Sequence, residues 1–323
     1  MRRRELIVLV GYASVLNLST ARAQEPGRVY QLGMMVRGSR ESANFLVLLD
    51  GLRQSGFVEG QNLRVEGRFS MRDEDAAEVA NALAAAGVDA ILTGSLHLTR
   101  AAQKATRTIP IVSVADDLVL SDLVRSLSHP GGNTTGISIL ATELDGKRQE
   151  LLIELVPDAR RIAALADPSA TAPEQLQALE DAARVRGIEL STHIASTPEE
   201  IVAALDAAKA WGAKALNVLA SGLFNLNQRL IIERTGTFRL PAIYQWPEIA
   251  EVGGLAAYGP RYTEVYRRQV ARQLVMIFRG ARPANIPVEQ PDRFELIINL
   301  TTAKALGLTI PPSIVARADE VIE

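Results

Sequence analysis

Few residues in this sequence have the types and spacing that catalysis requires. The three histidines, His97, His129 and His193, are not separated by three or four residues, so no two of them share a helix face as metal ligands do. The sequence contains no cysteine, which excludes disulfides, thiolate metal sites and a thiol nucleophile. Gly94-Ser95 lacks the flanking glycines of a serine nucleophile turn. We therefore predict no catalytic residue, no metal site and no enzymatic activity.

Phosphate-binding loops are missing from the sequence as well. Residues 33–38, GMMVRG, follow the first apolar run but do not have the glycine spacing that lets a backbone approach a pyrophosphate. The pattern GxxxxGK[ST] does not occur anywhere. We therefore expect no nucleotide cofactor, and no other cofactor is indicated.

Polar and aromatic side chains do follow the predicted strands, at the end of a parallel sheet where ligands bind. Hydroxyls and backbone amides suit a carboxylate, acidic side chains suit an ammonium group, and aromatic rings cover a flat or apolar body. The sequence thus predicts a binding site for a small organic molecule. Its candidate residues are Arg37, Ser39, Thr93, Gly94, Ser95, Asp116, Asp117, Asp167, Ser221, Tyr244, Trp246 and Tyr258.

Some of these residues have a structural alternative that the sequence leaves open. Asp116 and Asp117 suit a helix N-cap as well as a ligand contact, and the two serines Ser39 and Ser95 could cap helices while also binding. For Tyr244 or Trp246 a position in a pocket is favoured, because a large aromatic side chain exposed on the surface is unusual without a function. Residues 143–155, which include Arg148, are expected to form a solvated helical face.

The elements that must position these residues alternate between strand and helix. Between the strands, apolar residues recur at helical spacing, as in Phe45, Leu48 and Leu52. Thr197 with Pro198 marks the start of a helix, since it supplies a hydroxyl cap and a proline at the first helical position. The alternation predicts parallel sheets with helices on both faces. The predicted strands are 29–36, 63–69, 88–93, 109–114, 136–140, 161–166, 188–194, 215–219, 241–246 and 255–258.

Length and proline positions predict two domains. A chain of 323 residues exceeds the size at which one core usually keeps growing, and ten strands fit two sheets of five or six better than one. The boundary should fall near residue 140, after the turn-rich segment 129–133. Pro283, Pro287 and Pro291 indicate chain crossings between the domains, because proline removes a backbone donor.

The charge pattern and the first residues indicate an exported protein. Lys and Arg number 35 against 37 Asp and Glu, with no basic block, so nucleic acid is not an expected partner. Three arginines at 2–4, a short apolar run and Ala21-Arg22-Ala23 are typical of a signal peptide, with cleavage after Ala23 and a periplasmic mature chain. The apolar run is too short and too interrupted to span a bilayer. The paired arginines also fit twin-arginine export.

Several segments resemble those of one known family. The sequence is similar to the type I periplasmic substrate-binding proteins of ABC transporters, in the branch described as tryptophan/tyrosine transport substrate-binding proteins. The likeness covers nearly the whole chain. The segments that carry it are 2–7 (RRRELI), 51–62 (GLRQSGFVEGQN), 108–112 (TIPIV), 126–136 (SLSHPGGNTTG), 241–244 (PAIY), 294–300 (FELIINL) and 317–323 (RADEVIE).

The resemblance implies an α/β fold of two Rossmann-like lobes with parallel sheets, joined by three crossings and closing on a ligand in the cleft. The expected lobes are 24–140 with 261–288, and 141–260 with 289–323, after a signal peptide at 1–23. The implied ligand is amino-acid-like or aromatic, and the implied partner is an ABC permease in the inner membrane. Members of the family often carry Ser or Thr with Gly after the first strand, where this sequence has Met35-Val36-Arg37, and this departure adds a cationic group.

A second function from another class fits the same fold. A periplasmic subunit that senses a ligand and signals to a membrane kinase or chemoreceptor would also need two hinged lobes and an export signal. The sequence does not separate sensing from transport.

Overall fold

The computed structural model describes residues 27–69 and 73–323, so the predicted signal peptide at 1–23 lies outside the described residues. Across this described part, the helices are all too short or too polar to span a membrane.

The first sheet has five parallel strands in the order β2-β1-β3-β4-β5. Every residue of β3, β4 and β5 is buried, because helices cover both faces of the sheet. Its strands are β1 (Tyr30–Met35), β2 (Leu63–Arg68), β3 (Ala90–Thr93), β4 (Ile111–Ala115) and β5 (Thr134–Ser138), and its helices are α1 (Ala43–Gln54), α2 (Ala76–Ala86) and α3 (Leu96–Ala105).

The second sheet has seven strands in the order β12-β11-β10-β9-β8-β6-β7. Its strands are β6 (Arg161–Ala166), β7 (Glu189–Ile194), β8 (Ala215–Val218), β9 (Ala242–Tyr244), β10 (Ala256–Gly259), β11 (Glu295–Asn299) and β12 (Glu320–Ile322). The helices that follow β5 are α4 (Ala141–Leu155), α5 (Pro173–Val185), α6 (Pro198–Trp211), α7 (Gly222–Leu226), α8 (Gln228–Thr237), α9 (Pro247–Glu251), α10 (Tyr262–Glu264), α11 (Ala271–Phe278), α12 (Leu300–Leu306) and α13 (Pro312–Val315).

The two α/β sheets with mostly parallel strands are confirmed, and each of the ten predicted strands overlaps an observed one. β11 runs antiparallel to β10. The chain leaves β10 at its carboxyl end and returns past Glu289, which bridges to Ile137 near the carboxyl end of β5. It therefore enters β11 beside the end of β10 and must run in the opposite direction. β11 and β12 were not predicted from residue patterns.

One helical rod connects the second sheet back to the first. α10 and α11 are joined by a π-helical turn at Val265–Val270. The rod packs against α1 at Gly51, where an added Cβ would lie 2.4 Å from the carbonyl oxygen of Arg267. Only glycine allows this approach. The rod is thereby fixed to the first sheet, and the exact lobe boundaries stay a prediction.

Capping residues predicted the start of α6 and the ends of α2 and α6 correctly. The Thr197 hydroxyl accepts a hydrogen bond from the Glu200 amide at 3.2 Å, and α6 begins at Pro198. Gly87 and Gly212 take the left-handed conformation directly after α2 and α6.

The prediction that residues 143–155 form a solvated face is wrong for Asp145 and Arg148, whereas Lys147 and Glu150 are each 42% exposed. Arg148 and Asp145 are 1% and 0% exposed and form an ion pair inside the second half of the molecule. The guanidinium also donates to the carbonyl of Tyr258 at 3.0 Å, and Gln175 of α5 donates to Asp145. The side of α4 that carries Asp145 and Arg148 is therefore buried against α5 and the second sheet, where these partners bind its charged groups.

Candidate functional site

The carboxyl ends of strands from both sheets meet around two small adjoining cavities. We call them cavity A and cavity B, and each has a volume of about 40 Å³. Gly94, Gly222 and Tyr262 line both cavities. Cavity A is lined by Gly94, Ser95, Leu96, Val114, Ala115, Asp116, Ile139, Ala170, Ala220, Ser221, Gly222, Trp246 and Tyr262.

Cavity A has an aromatic wall and several oxygen atoms. Trp246 is 4% exposed and stacks on Tyr262, with ring centroids 4.2 Å apart and planes at 18°. The hydroxyls of Ser95 and Ser221 accept hydrogen bonds from the amides of Leu98 and Leu223, so both serines cap a helix and line the cavity. A planar solute could stack here with polar groups at its edge.

Cavity B is more aromatic. Its polar lining includes Arg37, Ser39 and Asn225, all at the cleft. The Phe45 and Phe69 rings meet edge to face at 5.1 Å. The complete lining is Met34, Val36, Arg37, Gly38, Ser39, Ser42, Asn44, Phe45, Phe69, Gly94, Gly222, Asn225, Leu226, Tyr262 and Tyr266.

An ion pair crosses the cleft between the two sheets. Arg37 follows β1 and donates to the Asp167 carboxylate, which follows β6, at 3.1 Å. Their side chains are 10% and 1% exposed. Asp167 also accepts from the Ser221 hydroxyl at 2.5 Å and from the Ser169 amide at 2.9 Å. This contact joins the linings of the two cavities, because Arg37 lines cavity B and Ser221 lines cavity A.

The structure brings most of the sequence-predicted residues together. Seven of them line a cavity directly, and Asp167 is bonded to two of those seven. The seven are Arg37, Ser39, Gly94, Ser95, Asp116, Ser221 and Trp246.

In the first sheet, two predicted residues line neither cavity. Thr93 is fully buried, and its hydroxyl is hydrogen-bonded to that of Thr99 at 2.7 Å. Asp117 accepts from the amides of Val119 and Leu120, both at 2.9 Å, so it stabilises the turn after β4. Asp117 thus holds a turn and not the helix N-cap that the sequence allowed, and its contact with a ligand stays a prediction.

Two predicted tyrosines of the second sheet also lie away from both cavities. The Tyr244 hydroxyl is hydrogen-bonded to Thr235 of α8 at 3.2 Å, and burial raises its pKa to about 12. Tyr258 packs near Phe294, with ring centroids 6.4 Å apart. β10 continues to Gly259, one residue past its predicted end. The residues that follow this strand and can face the cleft therefore come later in the sequence than Tyr258.

Sequence reasoning missed Tyr262 and Tyr266, which the rod α10–α11 brings to the cavities. Burial raises the pKa of both hydroxyls, so they stay protonated. Tyr262 is close behind the end of β10, and the strand-end rule could have found it. Phe45, by contrast, was recognised only as part of the buried stripe of α1, and nothing in the local pattern indicated a cavity.

In this conformation the cavities have room for water molecules but not for an amino acid. About 40 Å³ exceeds the ~10–15 Å³ that one water needs but is far below a ~300 Å³ ligand pocket. A solute of amino-acid size therefore requires the two sheets to move apart. No group of three His, Asp or Glu side chains within 27–69 and 73–323 is arranged to hold a metal ion.

Comparison with known proteins identifies the family to which this chain is similar. The family described as ABC transporter substrate binding protein matches residues 36–322. A tyrosine-binding protein of Clostridioides difficile is 27% identical over 263 residues, covering 80% of this chain and 75% of the relative.

Two crystal structures have the same fold. A conserved domain protein of Vibrio cholerae is 27% identical, with a TM-score of 0.81 over 91% of this chain and 99% of that chain. A domain from Streptococcus pneumoniae, in complex with L-Trp, is 24% identical, with a TM-score of 0.78 over 91% of this chain and 100% of that chain.

Proposed function

Because this chain belongs to the ABC transporter substrate-binding protein family, we propose that it captures a small amino-acid-like or aromatic solute outside the cytoplasm and delivers it to an ABC permease. The proposed mechanism is binding by closure of two lobes, without a covalent step. We further propose that residues 1–23 direct export to the periplasm.

The observation that carries this proposal is the position of the cavities. They lie where strand ends of two separate sheets meet, and both sheets contribute to their lining. A solute held there would contact both lobes only when they are closed. Closure would remove it from water and strengthen its polar contacts, and the solute would stabilise the closed state by its extra affinity for that state.

The chemistry of the lining supports an aromatic or amino-acid-like solute. The stacked Trp246 and Tyr262 offer a flat apolar wall, while Ser95 and Asp116 offer oxygen atoms beside it. The tyrosine-binding relative points in the same direction.

Fluorescence provides a test, because the chain has only two tryptophans. Trp246 lines cavity A, whereas Trp211 lies at the end of α6 beneath the guanidinium of Arg161. In a Trp211→Phe variant excited at a wavelength that only tryptophan absorbs, titration with L-tyrosine and the other amino acids except L-tryptophan should change the emission of Trp246 for at least one solute. Calorimetry measures the binding of L-tryptophan.

The matched variant is Trp246→Phe, which leaves Trp211 as the reporter. Its emission should not respond to the same solute. A response from Trp211 with none from Trp246 would place binding elsewhere, and a chemically broad screen without any binding would refute the proposed function.

A further inference from the structure

We propose that Arg37 and Asp167 form one subsite that selects solutes carrying both a carboxylate and a cationic group. This inference rests on the proposed function and narrows its ligand class, since it excludes aromatic acids that lack an amine. In the present conformation the Arg37 guanidinium lies where the cationic group of the solute would bind to Asp167. The Asp167 carboxylate lies where the carboxylate of the solute would bind to Arg37. A zwitterionic head would then be inserted between them as the lobes open and close.

The position of the pair fits this role. The two residues come from different sheets and meet inside the cleft at 3.1 Å. The Cβ of Arg37 lies 3.8 Å from the place where a Cβ on Gly222 would be, and Gly222 lines both cavities. A ligand group that reaches this point is next to both the aromatic wall of cavity A and the rings of cavity B.

The Asp167 carboxylate is held in place by hydrogen bonds that do not involve Arg37. One carboxylate oxygen accepts from the amide and hydroxyl of Ser169 at 2.9 and 2.8 Å, and the other accepts from the Ser221 hydroxyl. Three donors besides Arg37 therefore fix the position of this carboxylate. When Arg37 leaves, the Asp167 carboxylate thus stays at the same place in the cleft, and the cationic group of a solute can take the position of the guanidinium.

Charge balance then decides which solutes bind. A zwitterion replaces one ion pair by two, with its carboxylate on Arg37 and its ammonium group on Asp167. A solute with only one charge leaves the opposite protein charge buried without a partner, which is strongly unfavourable. Sites built on such polar partners reject analogues that lack one of them by large factors.

The test compares complete ligands with one-charge analogues on the mature chain freed of bound solute. The probes are the twenty amino acids and neutral sugars, with tyramine and tryptamine as amines and 3-(4-hydroxyphenyl)propionate and indole-3-propionate as acids. In calorimetry, the best solute should carry both charges, and its amine and acid analogues should bind roughly 100-fold more weakly or worse.

Variants identify the residues responsible. Arg37→Met and Asp167→Asn should each weaken binding of the best amino acid by roughly 100-fold. Asp167→Asn should also remove most of the discrimination against the acid analogue, which a purely structural role of Asp167 would not do. The control variants Arg184→Met and Asp181→Asn change an exposed ion pair of α5 and should bind as the wild type does.

Each result decides the question. If the best solute is neutral or singly charged, the subsite is refuted and the proposed function stands. If an amino acid binds but Arg37→Met and Asp167→Asn keep its affinity within a few-fold, the pair only holds the lobes together. If no solute binds at all, the proposed function fails, and this inference fails with it.

Discussion

Replacement of Arg148 by methionine is expected to lower the free energy of unfolding by about 3–5 kcal/mol. The side chain is 1% exposed and pairs with Asp145, which is 0% exposed. Methionine fills much of the same volume but leaves the carboxylate without its cation and the Tyr258 carbonyl without its donor. Denaturant unfolding of the purified chain measures the change.

The destabilisation should also depend on pH. Burial raises the pKa of Asp145 from 3.8 to about 6, although Arg148 acts to lower it. Without Arg148 this pKa moves higher still. A carboxyl group whose pKa is raised by folding contributes stability at low pH and loses it as the pH rises through the folded-state value. The difference in the free energy of unfolding between wild type and Arg148→Met should therefore be larger at about pH 8 than at about pH 5.

Two comparison variants isolate the buried charge. Arg184→Met removes a guanidinium from an ion pair that is 72% and 55% exposed, and it should cost less than about 1 kcal/mol. Arg148→Met combined with Asp145→Asn removes both charges and should recover much of the lost stability. A loss for Arg148→Met no larger than that for Arg184→Met would show that the pair contributes little.

Gly222→Leu is expected to weaken solute binding by about 10- to 100-fold with little change in folding stability. Gly222 lines both cavities, and a Cβ there meets only the Arg37 Cβ at an ordinary 3.8 Å. The fold thus tolerates a side chain at this position, but a leucine would occupy the space that the solute and the closing lobes need. Calorimetric titration with L-tyrosine and L-tryptophan provides the measurement, and thermal melting checks the fold.

Gly236→Leu is the matched control. Gly236 lies on α8, is exposed and has no atom within 4 Å of an added Cβ. The two variants introduce the same side chain on a helix, so any non-specific effect of leucine should appear in both. Equal affinities for the two variants would exclude cavities A and B as the binding site.

The sequence by itself determined ten of the twelve strands and the alternation of strands with helices. The strand β6 was predicted with the bounds that the structure has, and the cap at Thr197 and the stop at Gly212 are where the residue types require them. These signals are local: a proline or a left-handed glycine fixes its own backbone angles, whatever the rest of the chain does. The family resemblance is confirmed over residues 36–322. It could be recognised from the sequence because the segments that carry it are contiguous.

The sequence also found the edge at which a cleft forms. Ser95, Asp116 and Ser221 were selected only because they follow apolar strands, and all three line cavity A. The rule works because parallel strands place all their carboxyl ends on one edge of the sheet. It does not say which side chain near a strand end faces the cleft: Tyr244 packs towards α8, whereas Trp246 lines the cavity.

Only the tertiary structure decided which distant residues meet. Arg37 and Asp167 are 130 positions apart, and their contact exists because two separately built sheets approach each other. The burial of Arg148 likewise depends on α5 and β10 covering α4, which no pattern within α4 reveals. The spacing of apolar residues determines which face of a helix or strand is buried. Which other element covers that face depends on how the helices and strands pack together.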